Sequence, residues 1–391
     1  MLDEGLLIWM RGPRSFTGED VVEFHCHGNP WILERLVNAA MVRGARAAEP
    51  GEFTRRAYLN GRIDLIQADA VMQIISASSD RGLKAARRLL SGELSRRIES
   101  LQTKLVDVLK WLEMAIDFPE EDIEPASEAQ MSMTLWNVST ELHTLIKSFR
   151  RGHRARQGAR VVLCGRANVG KSSLFNALLG FRRSIVADIP GTTRDLVEAS
   201  IELGGLCFYL QDTAGLRDTL DVLESQGIDM ARDAIQGADL LLLVVDGSTA
   251  MTSEDEKALH AVKDSGLGWL GVLNKCDQGS ALEWAAMEGS WVPVSAQSNE
   301  GISRLQDLLL ETMVGAEEGE ELLLTSRWQK EVLERLLGNV ETARSVMLSG
   351  LSPEATAFEL YEALDRIDEI RGGSGRTDVM NRVFAEFCLG K

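Results

Sequence analysis

The segment Gly165-Arg166-Ala167-Asn168-Val169-Gly170-Lys171-Ser172 constrains the fold more than any other part of the chain. It fills every fixed position of GxxxxGK[ST], between a strand-like run, Arg160–Cys164, and a helical run from Ser173 to Leu179. That context is the one the motif requires. Its glycines let backbone N–H groups wrap phosphate, and the following helix N-terminus adds a favourable dipole. Lys171 is expected to reach β- and γ-phosphates and Ser172 to ligate Mg²⁺. Asn168, Val169, Gly170 and Ser173 complete the expected phosphate-binding set.

Three further segments follow predicted strands in order. Asp212-Thr213-Ala214-Gly215 comes after Cys207–Gln211, with Asp212 placed to hold Mg²⁺ through water and the Gly215 N–H to meet a γ-phosphate. Asn274-Lys275-Cys276-Asp277 comes after Trp269–Leu273. The Asp277 carboxylate can accept from N1–H and the exocyclic amine of guanine, and adenine has no such donor pair, so the base is read as guanine. Ser295-Ala296-Gln297, after Trp291–Val294, falls where a last base-contacting loop belongs. In Gly191-Thr192-Thr193-Arg194-Asp195, Thr193 is the expected second hydroxyl ligand to Mg²⁺. Leu216 stands where Ras-like GTPases carry a water-orienting glutamine, and a leucine cannot polarise water.

With Asp239–Val245 added, the strand-like runs alternate with helices from Arg160 to about Val314, which predicts a parallel sheet covered on both faces. From Ile63 to Ile116 apolar residues recur every three or four positions, predicting long amphipathic helices. A further helix is expected from Glu128 to Arg151, and the helical pattern returns after Glu317. Residues 1–60 mix short apolar runs with turn signals and suit a small α/β unit. The expected domains are therefore 1–60, 61–157, 158–316 and 317–391, with an α/β domain inserted into a helical one. A formal charge of −17 speaks against a bare nucleic-acid binder. One basic cluster (Lys147, Arg150, Arg151, His153, Arg154, Arg156, Arg160) reads as a solvated helix end and linker. The five cysteines are scattered and never spaced as CxxC, which predicts a reducing compartment and no zinc site. The most apolar run, Leu240 to Val245, reads as a buried strand, so a cytoplasmic protein without a membrane span is expected.

The chain resembles the MnmE/TrmE family of tRNA-modification GTPases from residue 1 to residue 391. The most specific pieces are Ser15-Phe16-Thr17-Gly18-Glu19-Asp20, Pro50-Gly51-Glu52-Phe53, Gly191-Thr192-Thr193-Arg194-Asp195 and the terminal Phe387-Cys388-Leu389-Gly390-Lys391. The resemblance implies a Ras-like α/β P-loop GTPase domain inserted into an all-α helical domain, preceded by a partial N-terminal α/β folate-binding-type domain. It implies potassium activation, with K⁺ held by Asn168, Ala187, Ile189 and Thr192, and homodimers whose G domains pair when nucleotide binds. Glu224 matches the residue that positions the attacking water through a second water, answering the problem set by Leu216.

The resemblance further implies an FAD-dependent partner, in a heterotetramer-type complex, and tRNA as substrate. The reaction installs an aminomethyl-type group at C5 of the wobble uridine. The one-carbon unit comes from a tetrahydrofolate derivative (5,10-methylene or 5-formyl), for which Glu23, Arg62 and Lys391 match contacting positions. Arg62 stands where the family often has lysine, and a guanidinium fork is not an ammonium. Cys388 is a candidate reactive thiol beside the folate. The first residues, Met1-Leu2-Asp3-Glu4-Gly5, correspond to the middle of the family's N-terminal domain, so that domain's earlier part of the folate site and dimer contact is expected to be missing. The alternative is a ribosome-assembly or RNA-chaperone GTPase, although no KH-type GXXG loop can be placed in the acidic helical flanks. A transport GTPase, which the lack of a hydrophobic span opposes, and a relative that hydrolyses GTP without modifying tRNA are the other readings.

Overall fold

A computed structural model describes residues 2–117, 127–180, 198–212, 237–279, 290–314, 322–373 and 383. The chain forms two compact units. One comprises residues 1–76, 84–150 and 322–391, and the other residues 77–83 and 151–321.

The second unit carries a six-stranded sheet of β3 (Ala159–Cys164), β4 (Glu198–Leu203), β5 (Leu206–Asp212), β6 (Leu240–Asp246), β7 (Trp269–Asn274) and β8 (Trp291–Pro293), in the order β4-β5-β3-β6-β7-β8. β3 runs parallel to β5 and β6, β6 to β7, and β7 to β8. The five expected strands run parallel as anticipated, and β4, not among them, adds an antiparallel edge beside β5. The cause is local. Gly204 and Gly205 both take positive φ, 54° and 76°, and make the two-residue turn joining Leu203 to Leu206.

Side chains of successive strand residues point to opposite faces, and the core divides accordingly. Val161, Leu163, Leu242 and Val244 pack with residues of α7 (Lys171–Gly180) and α9 (Ile302–Val314). Val162, Leu241, Leu243 and Val245 pack instead with Leu259 and Val262 of α8 (Ser253–Asp264). Every residue of β6 is buried, as its apolar run requires.

The first unit opens with the antiparallel pair β1 (Leu6–Met10) and β2 (Val21–His25), then α1 (Pro30–Val42), α2 (Glu52–Leu59) and α3 (Leu65–Ile75). α1 buries none of its residues. A capping box between Asp64 and Gln67 starts α3. α5 (Glu93–Asp117) places Leu94, Ile98, Leu101, Leu105, Val108 and Leu112 on one buried stripe. They join residues of α10 (Arg327–Leu348) and α11 (Pro353–Arg371) in the main helical core.

The units divide within two helices, α4 (Asp80–Leu90) and α6 (Glu128–Gln157). α6 runs past the expected end at Arg151. It tolerates Gly152 and stops at Gly158, whose φ of +80° suits a helix-terminating glycine. Within the second unit, Arg154 is 15 % exposed and pairs with Asp239 at 3.3 Å, so this member of the basic cluster is a bonded partner rather than a solvated charge. Among the described residues no helix is long and apolar enough to cross a membrane.

Candidate functional site

β3 delivers the chain to the candidate loop at its C-terminal end. Gly165 has φ +139°, and a Cβ there would lie 2.1 Å from the Val244 carbonyl oxygen, so only glycine passes this close to β6. Gly170, at φ +93°, leaves room for Asn274, whose Nδ2 would stand 2.3 Å from a Cβ. Between them Asn168 takes the left-handed conformation, φ 63°.

Three side chains hold the loop's carbonyls. Lys171 Nζ donates to Gly165 O at 3.0 Å and Arg166 O at 2.8 Å. Asn274 Nδ2 donates to Val169 O at 2.8 Å, while its Oδ1 accepts from Ala296 N at 3.1 Å. Lys275 Nζ donates to Asn168 O at 3.0 Å and to Asp246 Oδ2 at 2.7 Å. Burial pushes the Asp246 carboxyl up, but hydrogen bonds from Lys275 and Ser248 outweigh it and hold the group below the ordinary carboxylate range.

At the loop's far end Ser172 Oγ donates to Asp212 Oδ2 at 2.7 Å. The parallel register of β3 and β5, Leu163 opposite Asp212, sets that carboxylate beside the loop. A hydroxyl and a carboxylate are hard oxygen donors of the kind Mg²⁺ takes in phosphate sites. Among the described residues no cluster of three or more His, Cys, Asp or Glu side chains is placed to hold a metal on its own. Asp277 sits exposed on a short 3₁₀ turn, Cys276–Gln278, and Cys276 N donates to Val294 O at 3.1 Å. Ser295 is fully buried, and Ser173 is exposed on the first turn of α7.

Sequence reasoning thus named Asn168, Val169, Gly170, Lys171, Ser172, Asp212, Asn274, Lys275 and Ala296, and the fold brings them together. It missed Asp246, which holds Lys275, and Asp255, which receives Arg166. The signal for Asp246 was its place at the end of the most apolar strand; Thr252-Ser253-Glu254-Asp255 marked Asp255 as a capping-box residue, but not as the partner of Arg166. Ala187, Ile189, Thr192, Thr193, Thr213, Ala214, Gly215, Leu216, Glu224, Cys388 and Lys391 lie outside the described residues. Of the expected folate contacts, Glu23 on β2 lies 3.0 Å from His25 Nε2, and the Arg62 side chain lies against Gly18.

Cys164 ends β3 immediately before the loop. Burial pushes its thiol up to about 12, which disfavours the reactive thiolate at pH 8. A thiol reagent at pH 8 is expected to leave Cys164 unlabelled in the folded protein and to modify it in denaturant. Rapid native labelling, mapped by mass spectrometry, would contradict this burial.

Comparison with known proteins agrees with the geometry. The chain matches the MnmE helical domain over residues 65–388 and the GTP-binding protein TrmE N-terminus over residues 1–62. It is 41% identical to the tRNA modification GTPase MnmE of Syntrophotalea carbinolica, 42% to that of Moorella thermoacetica and 40% to that of Aquifex aeolicus. Each match spans 100% of this chain, and 86%, 86% and 87% of those proteins respectively. A phosphate-type loop braced by an Asn-Lys-x-Asp segment, in a chain alike to these relatives along its whole length, belongs to the MnmE family of tRNA modification GTPases.

Proposed function

We propose that the chain hydrolyses GTP at the loop Gly165–Ser172 in a potassium-activated reaction. With an FAD-dependent partner, that cycle serves the addition of an aminomethyl-type group to C5 of the wobble uridine in certain tRNAs. The observation that carries this reading is the convergence of Lys171, Ser172, Asp212, Asn274 and Lys275 on one loop, with the Asp277 carboxylate open beside it.

In this reading Lys171 meets the β- and γ-phosphates, and backbone N–H groups from Asn168 to Ser173 and of Gly215 surround them. Asp277 reads guanine, with Ser295 and Ala296 completing the base loop. Ser172 and Thr193 would ligate Mg²⁺, with Asp212 acting through water. Asn168, Ala187, Ile189 and Thr192 would hold K⁺. Bound there, the two cations supply positive charge against the phosphoryl oxygens. Glu224 orients the water that Leu216 cannot. Glu23, Arg62 and Lys391 contact a tetrahydrofolate derivative, beside which Cys388 is a candidate thiol. Domains at 1–60, 61–157, 158–316 and 317–391, homodimers whose G domains pair on nucleotide binding, and a cytoplasmic location complete the reading.

The test is the GTP hydrolysis rate with K⁺ replaced by Na⁺ at constant ionic strength. We expect a loss of at least about tenfold in Na⁺, the size of one lost electrostatic contact in the transition state. Equal rates in the two salts would sink the potassium mechanism and bring the ribosome-assembly reading forward.

A further inference from the structure

The second position of GxxxxGK[ST] is unconstrained by the motif, and here it holds arginine. Arg166 Nε donates to both carboxylate oxygens of Asp255, at 3.1 and 3.2 Å. Asp255 is 1 % exposed and also closes the capping box of α8, accepting from Thr252 N at 3.1 Å and Thr252 Oγ1 at 2.7 Å. A helix-capping carboxylate commonly faces water. This one is buried, and a buried charge needs a partner of opposite sign with fixed geometry. A guanidinium supplies that better than an ammonium.

The backbone of the same residue faces the candidate phosphate site. Arg166 O is one of the two carbonyls that hold Lys171 Nζ. Asn274 and Lys275 restrain the other half of the loop, at Val169 and Asn168. The ion pair to Asp255 anchors the half that aims the lysine.

We propose that Arg166 is a positioning residue for Lys171, held in place by Asp255, and that this pair strengthens the loop's preference for a nucleoside triphosphate over a diphosphate. The inference rests on the reading of this loop as the guanine-nucleotide site. Its physical basis is that an ammonium aimed by two fixed carbonyls gains most where phosphate charge is greatest. A lysine free to swing loses more of its interaction with the triphosphate than with the diphosphate.

The experiment measures the affinity of the full chain for a non-hydrolysable GTP analogue and for GDP, with the melting temperature recorded for each variant. Arg166→Ala is expected to weaken the triphosphate analogue by about tenfold more than GDP, the size of one charge-assisted contact. Arg166→Ala leaves a buried carboxylate without its counter-charge, so Asp255→Asn, which keeps an acceptor for the cap and removes the charge, is the second variant. It should reproduce the same selective loss, and the double variant should be no worse than either single one. Arg166→Lys should recover part of the preference.

Equal weakening of both nucleotides, or unchanged affinities with a lowered melting temperature, would overturn the proposal and leave a purely structural ion pair. Wild-type protein that binds neither nucleotide, or binds both as well after Lys171→Ala, would instead remove the nucleotide-site reading and this inference with it.

Discussion

Replacing Asp277 by asparagine is expected to weaken GTP binding by roughly 10²–10³-fold and to create binding of xanthosine triphosphate. Guanine presents two donors on one edge, N1–H and the exocyclic amine, and one carboxylate accepts both. An asparagine keeps one acceptor and turns an NH₂ donor toward the other. Two donors then face each other, and the mismatch costs at least as much as a lost hydrogen bond to a charged group. Xanthine carries a carbonyl where guanine carries the amine, so the same amide restores a complementary pair.

The platform under Asp277 is held at several points. Lys275 adopts φ 64° and is tied to both Asn168 O and Asp246, and Cys276 N is tied to Val294 O. The substitution therefore changes the recognition atoms while leaving their positions fixed. Competition titrations with GTP, XTP and ATP check it. A variant that binds GTP as tightly as the wild type would remove Asp277 from the base site.

The legible part of this site is the part encoded within a few residues. Lys171 to Gly165 and Arg166 are contacts across five or six positions, and a Gly-rich turn between strand and helix fixes them. Apolar runs located five of the six strands of the sheet in the second unit, because a strand covered on both faces must be apolar throughout. The missed strand, β4, faces a different requirement. Ser200 and Glu202 alternate with the buried or half-buried Ala199, Ile201 and Leu203, so its pattern is that of an edge rather than a buried run. The Gly204-Gly205 turn was the available signal for it.

The pairings that no local rule reveals are long-range. Arg166 meets Asp255 from 89 positions away, and Lys275 meets Asp246 from 29. Local pattern places each residue but does not name its partner. Only the sheet order, which puts β6 between β3 and β7, brings the carboxylate at its end and the one beyond it within reach of both loops.

The largest stability effect is expected at Asp69, far along the chain from any motif. Its carboxylate is 5 % exposed. One oxygen, Oδ2, accepts from Gln73 Nε2 at 2.9 Å, Ser326 Oγ at 2.5 Å, and Trp328 Nε1 and Gln329 Nε2 at 3.2 Å each. Thr325 Oγ1 donates to Gln73 Oε1 at 2.7 Å and closes the network. Ser326, Trp328 and Gln329 belong to the residue before α10 and to its first turn. Ser326, the N-cap of that helix, makes no side-chain cap bond to its own backbone. The negative charge thus sits at the positive end of a helix, which offsets part of its burial cost.

Asp69→Ala removes the acceptor and leaves several buried donors without it, each worth about 1–3 kcal/mol before relaxation. We expect a loss of ~3–5 kcal/mol, comparable to breaking a buried charge pair from one side. For a unit of this size that lowers the thermal transition by roughly 10 °C. Asp69→Asn keeps one acceptor but turns an amide donor into a crowd of donors, so it should fall between the wild type and the alanine variant. Calorimetry of the full chain, paired with GTP affinity, separates the consequences. The helical unit's transition should fall while nucleotide affinity stays at its wild-type value. A transition within about 2 °C of wild type would mean that water or a rearranged Gln73 satisfies the donors, and that the carboxylate does not organise the start of α10.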